Sequence, residues 1–155
     1  MEAKVFPIAP VSSSAATGLL FAVLLVILLV FFMVGYVFYS MKNCRFEVNN
    51  QGLQVRGDMY SRLIPYKSIK MDGIKMLDLS CGRDSEYQPS FRTNGAALPG
   101  YLSGWYRLKN KEKALLFVSD KTKVIYIPTG EGFSVLLSPD EPQAFLDALK
   151  ASASR

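Results

Sequence analysis

"RTNGAALPGYLSGWYRLKNKEK", Arg92–Lys113, is the stretch that decides the fold of this 155-residue chain. It holds three glycines, a proline and three aromatic residues, and it ends in alternating basic residues. Glycines at 100 and 104 invite comparison with a phosphate loop, but the Gly-Lys-Ser/Thr ending of a P-loop is missing. A strand-like segment follows instead of a helix, so no helix dipole would hold a phosphate. The stretch predicts a loop with a Gly-Tyr-x-x-Gly turn, then a strand, then a basic hairpin tip.

Outside this stretch, short runs of alternating apolar and polar residues indicate further strands. The first two are separated by "NNQG", a hairpin-type turn. "KNKEK" and "SDKTK" are turns between later strands. The predicted strands are Arg45–Val48, Leu53–Arg56, Ser61–Ile64, Ile74–Leu79, Trp105–Leu108, Ala114–Val118, Val124–Pro128 and Phe133–Leu137.

After the last predicted strand, the spacing of apolar residues changes from that of a strand to that of a helix. Ser138 followed by Glu141 fits a capping box, with Pro139 at the first helical position. Apolar residues then recur at helical spacing, which predicts an amphipathic helix over Pro139–Lys150. A small bent sheet leaves one end of its core open, and such a helix would cover it.

One segment has the composition of a membrane span. Leu19–Tyr39 holds no charged residue, Asn, Gln or Pro, and a helix of this length covers about 30 Å, the thickness of the hydrocarbon core. The run is too long for a signal peptide, and no small-x-small cleavage pattern follows it. We therefore expect a flexible tail over residues 1–18, a transmembrane helix over 19–40 and one domain over 41–155.

The charges favour one membrane orientation. Lys4 and Glu2 are the only charged residues before Lys42, so the net charge of +5 belongs to residues 41–155. Lys42 and Arg45 follow the span directly, against Lys4 and the amino terminus before it. By the positive-inside rule, this predicts a single-pass membrane protein with a cytoplasmic C-terminal domain. In a bacterial cell such a protein lies in the cytoplasmic (inner) membrane.

The residue types argue against enzymatic chemistry. The chain has no histidine to activate a serine or cysteine or to complete a common zinc site. Its acidic residues are scattered among predicted turns. We expect no catalytic residue, no metal and no cofactor. Cys44 and Cys81 are able to pair in an oxidising compartment, but their spacing does not require it.

Basic residues crowd two of the predicted turns. A domain tethered to a bilayer gains about 1 kcal/mol of attraction for each basic residue near an anionic leaflet. The alternative is that these are ordinary solubilising charges. The candidate lipid-binding residues are Arg107, Lys109, Lys111, Lys113, Lys121 and Lys123.

Aromatic residues near these turns have two interpretations. Trp105, Tyr106 and Phe117 would suit a set that stacks on a ligand, but strands favour aromatics and bury alternate positions. We expect at least one face of this hairpin to belong to the core. Nucleic-acid binding is not expected, because these positions fit strand faces better than a stacking platform.

These segments together resemble the bacterial PH-like domain families. The resemblance rests on Gly-Tyr-x-x-Gly at Gly100–Gly104, Ile-Pro-Thr at Ile127–Thr129, "FEVNNQGLQVRG" and "LIPYKSIK", and it spans most of residues 45–150. It implies a mainly β fold, a partly open seven-stranded barrel capped by a C-terminal helix. The family has no catalytic residues to carry over. The phosphoinositide motif of eukaryotic PH domains lies in the first hairpin, which offers only Arg45 and Arg56 here.

Two functions remain open from the sequence. The first is a protein–protein interaction or assembly module, acting on another protein or on a second copy through an exposed strand edge. The second is a reader of anionic lipid headgroups through the basic turns.

Overall fold

The computed structural model describes residues 13–153. The chain divides into two compact units at the bond between Tyr39 and Ser40. A long apolar helix, α1, spans Ser13–Asn43; its residues up to Tyr39 belong to the first unit and its last four residues belong to the second. Its segment Ser14–Ser40 is long and apolar enough to cross a membrane.

The helix is longer than the predicted span of residues 19–40. Residues 13–18 of the predicted tail already belong to α1, since Ser, Ala and Thr here continue into the apolar run without a proline to stop it. The rest of the predicted tail, residues 1–12, lies outside the described residues.

The second unit is mainly β, as predicted. Its strands are β1 (Arg45–Asn49), β2 (Gly52–Arg56), β3 (Leu63–Pro65), β4 (Lys75–Leu77), β5 (Pro89–Leu98), β6 (Tyr101–Leu108), β7 (Lys113–Val118), β8 (Val124–Pro128) and β9 (Ser134–Leu137), and the helix α2 (Pro142–Ala153) follows. The described residues thus form nine strands where the family resemblance implied seven. Two of the nine, β3 and β4, are three residues long.

The strands form two sheets. A three-stranded sheet has the order β1-β2-β3, and a six-stranded sheet has the order β4-β8-β9-β7-β6-β5. The pairings are antiparallel except that of β7 with β9, which is parallel. The predicted "NNQG" turn is confirmed, because the Asn49 side chain accepts the backbone N–H groups of Gln51 and Gly52 at the bend.

One hydrophobic cluster lies between the two sheets. Leu53 and Val55 of β2 meet Leu115 and Phe117 of β7 there, and Leu149 of α2 joins them. All of these side chains are buried. The predicted role of the C-terminal helix is confirmed, since α2 packs its apolar face on this core.

A second cluster covers the other face of the six-stranded sheet. Ala114, Leu116 and Val118 of β7 point to this side, opposite to Leu115 and Phe117. The central strands are therefore buried on both faces, which explains the continuous apolar runs "ALLFV" and "SVLL". Tyr87 and Leu102 pack against the edge of this cluster.

The stretch that predicted the fold is a hairpin, and the expected loop before Trp105 was wrong. β5 and β6 pair from Pro89 to Leu108 around a turn at Pro99–Gly100. Gly104 lies within β6 rather than ending a turn, at φ 102° and opposite Gly95. A Cβ at Gly104 would lie 2.5 Å from the Asn94 carbonyl oxygen, so only glycine lets the two strands approach this closely.

The predicted capping box at Ser138 was also wrong. α2 begins at Pro142, three residues after the predicted start at Pro139. Pro142 suits the first helical position because it has no N–H to leave unsatisfied. The Ser138 hydroxyl instead accepts the backbone N–H groups of Ser119 and Asp120, after the end of β7.

Candidate binding surfaces

The β-domain has two ends, and strand β7 runs from one to the other. We call the end that contains Ser40–Arg45 the junction end, because the chain passes there from α1 into β1. The Ser40 hydroxyl donates to the Gly57 carbonyl oxygen at 3.2 Å, and the Cys44 N–H donates to the Ser40 carbonyl oxygen at 3.0 Å. Strand directions also place the end of β7 and the turn at Pro99–Gly100 here.

A buried polar group holds the junction end together. The Tyr101 hydroxyl donates a 2.6 Å hydrogen bond to Oδ2 of Asp58, and both residues are at least nine-tenths buried. The backbone N–H of Tyr60 donates to the other Asp58 oxygen at 3.2 Å. Two donors thus compensate the loss of water around the carboxylate.

The Cys44 thiol lies beside this group. Burial raises its pKa from 9.0 to about 11, and the nearby Asp58 carboxylate adds to the effect. A hydrogen bond with Tyr101 acts in the opposite direction and is outweighed. Both cysteines are free, so the disulfide that the sequence left open is not formed between Cys44 and the exposed Cys81. Cys44 is therefore an unreactive thiol at neutral pH.

A cleft of about 380 Å³ opens at the junction end. Phe46, Phe117 and Phe145 form its apolar part, with Phe46 in edge-to-face contact with both other rings. Its charged and hydroxyl-bearing lining residues are Lys42, Arg45, Ser119, Ser138, Asp140 and Tyr101. A cleft of this size and mixed lining is typical of a small-ligand site.

Four of the predicted lipid-binding residues lie at the other end of the domain, which we call the distal end. Arg107 and Lys113 face each other across β6 and β7. Lys109 and Lys111 belong to the turn that joins these strands, and Lys111 takes a left-handed conformation at φ 70°. All four side chains are exposed.

Three of these four side chains have partners within the domain. Arg107 donates to the Lys111 carbonyl oxygen at 3.0 Å, and Lys109 donates to Oε1 of Gln88 at 2.8 Å. The Lys113 ammonium lies 4.3 Å from the centre of the Trp105 ring, a cation–π contact. Their charged groups thus already make contacts that stabilise the turn between β6 and β7.

Lys121 and Lys123 lie at the junction end, in the turn between β7 and β8. The five residue steps of β7 separate them from the distal group by about 17 Å of strand. The six predicted residues therefore form two groups rather than one patch. Lys42 and Arg45, which the prediction did not include, share the junction end with Lys121 and Lys123.

The aromatic residues near these turns divide between the two clusters. Phe117 is buried between the sheets, whereas Tyr106 is buried on the opposite face of the six-stranded sheet. Trp105 is half-buried and packs edge-to-face on Phe133 at 5.1 Å. The prediction that one face of this hairpin belongs to the core is confirmed, and the three rings do not form one stacking surface.

A further surface is the outer edge of β5. This ten-residue strand pairs with β6 on one side, and within residues 13–153 no strand pairs with its other side. Most of its residues are exposed, including Phe91 at 67% and Leu98 at 39%. The opposite edge of the sheet, β4, is three residues long. Sequence reasoning missed β5, although the Pro-Gly turn at residues 99–100 is a signal for it.

Comparison with protein families decides what kind of domain this is. A family model described as "Bacterial PH domain" matches residues 44–153, about seven-tenths of the chain. The chain belongs to the bacterial PH domain family. The match begins at Cys44 and ends at Ala153, so this bacterial PH domain takes in every strand and α2. Comparison with curated proteins and with solved structures gave no match.

Within the described residues, no group of three or more Cys, Asp or Glu side chains is placed to hold a metal ion. The surfaces of this PH domain are instead of three kinds: a strand edge, basic turns at opposite ends, and the cleft at the junction end.

Proposed function

We propose that the chain is a single-pass membrane protein whose PH domain is a non-enzymatic module that binds another protein through the edge of β5. The observation that carries this proposal is the length and exposure of that edge strand. An edge strand presents a row of backbone N–H and C=O groups to which a partner strand adds by hydrogen bonding.

The part of β5 suited to this is its second half. Register shifts between Pro89 and Phe91 and between Arg92 and Asn94 bend the first half, whereas Asn94–Leu98 pairs in regular register with Tyr101–Trp105. Bulges protect an edge from unwanted pairing. The regular half carries small side chains, Gly95, Ala96 and Ala97, which leave room for an incoming strand.

Photo-crosslinking from β5 tests this proposal. A benzoylphenylalanine at Phe91 in the full chain should give a discrete protein adduct in native membranes. Changing Leu98→Lys should reduce that adduct at least fivefold, because a charged residue on an edge strand opposes pairing. The matched control places the same crosslinker at Met59, which is 68% exposed and outside β5. Equal adducts from positions 59 and 91, or an adduct from 91 that Leu98→Lys leaves unchanged, would contradict the proposal.

The second candidate function is attraction to anionic lipid headgroups through Lys121 and Lys123. The observation that favours it is that both lie in the turn after β7, at the same end of the domain as Lys42 and Arg45. The distal group of Arg107, Lys109, Lys111 and Lys113 serves here as the comparison.

Liposome flotation separates the two groups of charges. The test uses residues 40–155, which form a compact unit with its own core, after Trp105 fluorescence has shown that this unit is folded. Binding to anionic vesicles should fall severalfold in Lys121→Gln/Lys123→Gln and should weaken with salt. Indifference of flotation to lipid charge would rule this candidate out.

We further propose the cytoplasmic membrane as the location, with the PH domain on the cytoplasmic side. Lys42 and Arg45 on the C-terminal flank of α1 support this orientation. A membrane-impermeant maleimide should label the exposed Cys81 only after the membrane is permeabilised, with Cys81→Ser as the blank. Labelling of intact cells or spheroplasts would reverse the orientation.

A further inference from the structure

We propose that the cleft at the junction end is a specific binding site for a phosphate ester, held by Lys42, Arg45 and Ser119. This site goes beyond the proposed contact through β5 and uses none of its residues. It also differs from general attraction through Lys121 and Lys123, because it predicts one bound molecule in a defined cleft.

The cleft holds two cations that no described residue pairs with. Lys42 and Arg45 are both exposed, and within residues 13–153 neither has an ion pair or a hydrogen-bond acceptor. Arg56, the cross-strand neighbour of Arg45, is by contrast paired with Glu47 at 3.0 Å. Asp140 also lines the cleft, but it lies beyond ion-pair distance of both cations. The charged lining therefore has an excess of one positive charge.

The Ser119 hydroxyl adds a third hydrogen-bond donor to the cleft. Ser138 Oγ accepts the N–H groups of Ser119 and Asp120, at 2.7 and 3.3 Å, so its lone pairs are in use. Its remaining contact is with Ser119 Oγ at 3.1 Å, in which Ser138 must therefore donate. The Ser119 hydroxyl hydrogen then has no acceptor among the described residues. Ser119 is exposed, so this hydrogen faces solvent and is able to donate to a molecule that enters the cleft.

These groups share one chemical preference. An ammonium, a guanidinium and a hydroxyl hydrogen are all donors, and phosphate oxygens are strong acceptors that a guanidinium binds with two parallel hydrogen bonds. The three phenyl rings beside them offer apolar surface for the carbon part of an ester. The cleft volume of about 380 Å³ exceeds what a bare phosphate ion needs.

The position of these residues along the chain favours a lipid as the source of the phosphate. Lys42 lies two residues beyond the end of the candidate span at Ser40, about 3 Å of helix. The headgroup layer on each side of a bilayer is about 5–8 Å thick. With α1 in the membrane as proposed above, Lys42 and then Arg45 directly follow the span, where basic side chains meet lipid phosphates.

The experiment measures lipid binding to the full-length chain in a neutral detergent by native mass spectrometry. The probe is dioctanoyl phosphatidylglycerol, and dioctanoylglycerol, which lacks the phosphate, is the control ligand. We expect one phosphatidylglycerol per chain. Lys42→Gln/Arg45→Gln should weaken its binding at least tenfold, whereas Lys109→Gln/Lys111→Gln, with the same change of charge at the distal end, should stay within twofold.

A second variant tests the cleft rather than the charge. Ser119→Phe fills the cleft and keeps both cations, and it should also weaken binding at least tenfold. Thr122→Phe, in the same turn but outside the cleft lining, should bind within twofold of the original chain. The single tryptophan, Trp105, reports whether each variant is folded.

Three results would overturn the site: binding unchanged in a folded Ser119→Phe chain, equal loss in the distal double variant, or equal affinity for dioctanoylglycerol. Competition with glycerol 3-phosphate identifies the source. Displacement of the lipid by millimolar glycerol 3-phosphate would assign the cleft to a soluble phosphate ester, and failure to displace it would assign the cleft to the lipid. Crosslinking at Phe91 tests β5 separately, so the two proposals succeed or fail independently.

Discussion

Tyr101 and Asp58, 43 residues apart in the chain, are joined by a 2.6 Å hydrogen bond inside the junction end. This bond ties the first residue of β6 to the loop after β2, and so connects the two sheets at one point. Burial, followed by the hydrogen bond to Asp58, raises the pKa of Tyr101 above its ordinary value of 10.0. The hydroxyl therefore keeps its proton, and remains a donor, well above neutral pH.

Removing the Tyr101 hydroxyl should destabilise the fold. We expect Tyr101→Phe to lower the free energy of unfolding by about 2 kcal/mol, because the buried Asp58 carboxylate loses a donor. Tyr60→Phe is the matched control, since its hydroxyl donates to Asn94 at an exposed position, and it should cost less than about 1 kcal/mol. Denaturation of the full chain in detergent, followed by Trp105 emission, measures both. Equal losses would show that the Asp58 contact is not special.

Gly104 should not tolerate a side chain. We expect Gly104→Ala to destabilise the β-domain by about 3 kcal/mol, since it combines φ 102° with a Cβ 2.6 Å from the Cα of Gly95. Gly82→Ala is the control, because nothing lies within 4 Å of its Cβ, and it should change the free energy of unfolding by less than about 0.5 kcal/mol. Thermal unfolding of the two variants makes the comparison, and an unaffected Gly104→Ala chain would contradict the strand pairing.

The two cysteines should differ in reactivity. With its pKa raised from 9.0 to about 11, Cys44 has about a hundredfold less thiolate at pH 8 than an ordinary cysteine. Iodoacetamide should therefore alkylate the exposed Cys81 at least a hundredfold faster than Cys44, and denaturant should abolish the difference. Mass spectrometry of digested samples follows each site. Comparable rates in the folded chain would place Cys44 outside the buried group.

Stability should decrease at alkaline pH in two stages. The folded-state pKa of Cys44 is raised, so the unfolded chain loses the thiol proton first, and stability present below about pH 9 falls as the pH rises to about 11. The raised pKa values of Tyr101 and Tyr126 add a second decrease that starts near pH 10. Cys44→Ala should remove the first stage, so the free energy of unfolding of this variant should stay constant up to about pH 10. If the stability of Cys44→Ala fell between pH 9 and 10 as steeply as that of the original chain, Cys44 would not be the cause of the first stage.

Local signals in the sequence were sufficient for part of the fold. The turn between β1 and β2 was predicted from "NNQG", and the structure shows it to be local, with the Asn49 side chain bonded to its own neighbours. The strands β7 and β8 were predicted as strand-like runs bounded by the turns "KNKEK" and "SDKTK". β5 was missed because its exposed residues show no alternation, and only its pairing with β6 makes it a strand.

Features that depend on distant contacts were not predictable in this way. Ser138 has the sequence context of a helix cap, but its hydroxyl binds the turn after β7 instead. The sequence around Asp58 and the sequence around Tyr101 contain no pattern that predicts their hydrogen bond. The separation of the basic residues could have been inferred, since a six-residue strand lies between Lys113 and Lys121. The cleft could not, because Arg45, Ser119 and Phe145 come from three different segments.

The place of β9 in the six-stranded sheet also determines when the domain is able to fold. β9 is the last strand of the chain, yet it lies between β7 and β8 in the middle of the sheet. Until residues 134–137 have left the ribosome, the pair β4 and β8 and the group β5, β6 and β7 lack the strand that hydrogen-bonds to both. The sheet is completed only when Leu137 has emerged, long after α1 has left the ribosome. The apolar helix is thus available for insertion into a membrane before the domain attached to it has any complete core.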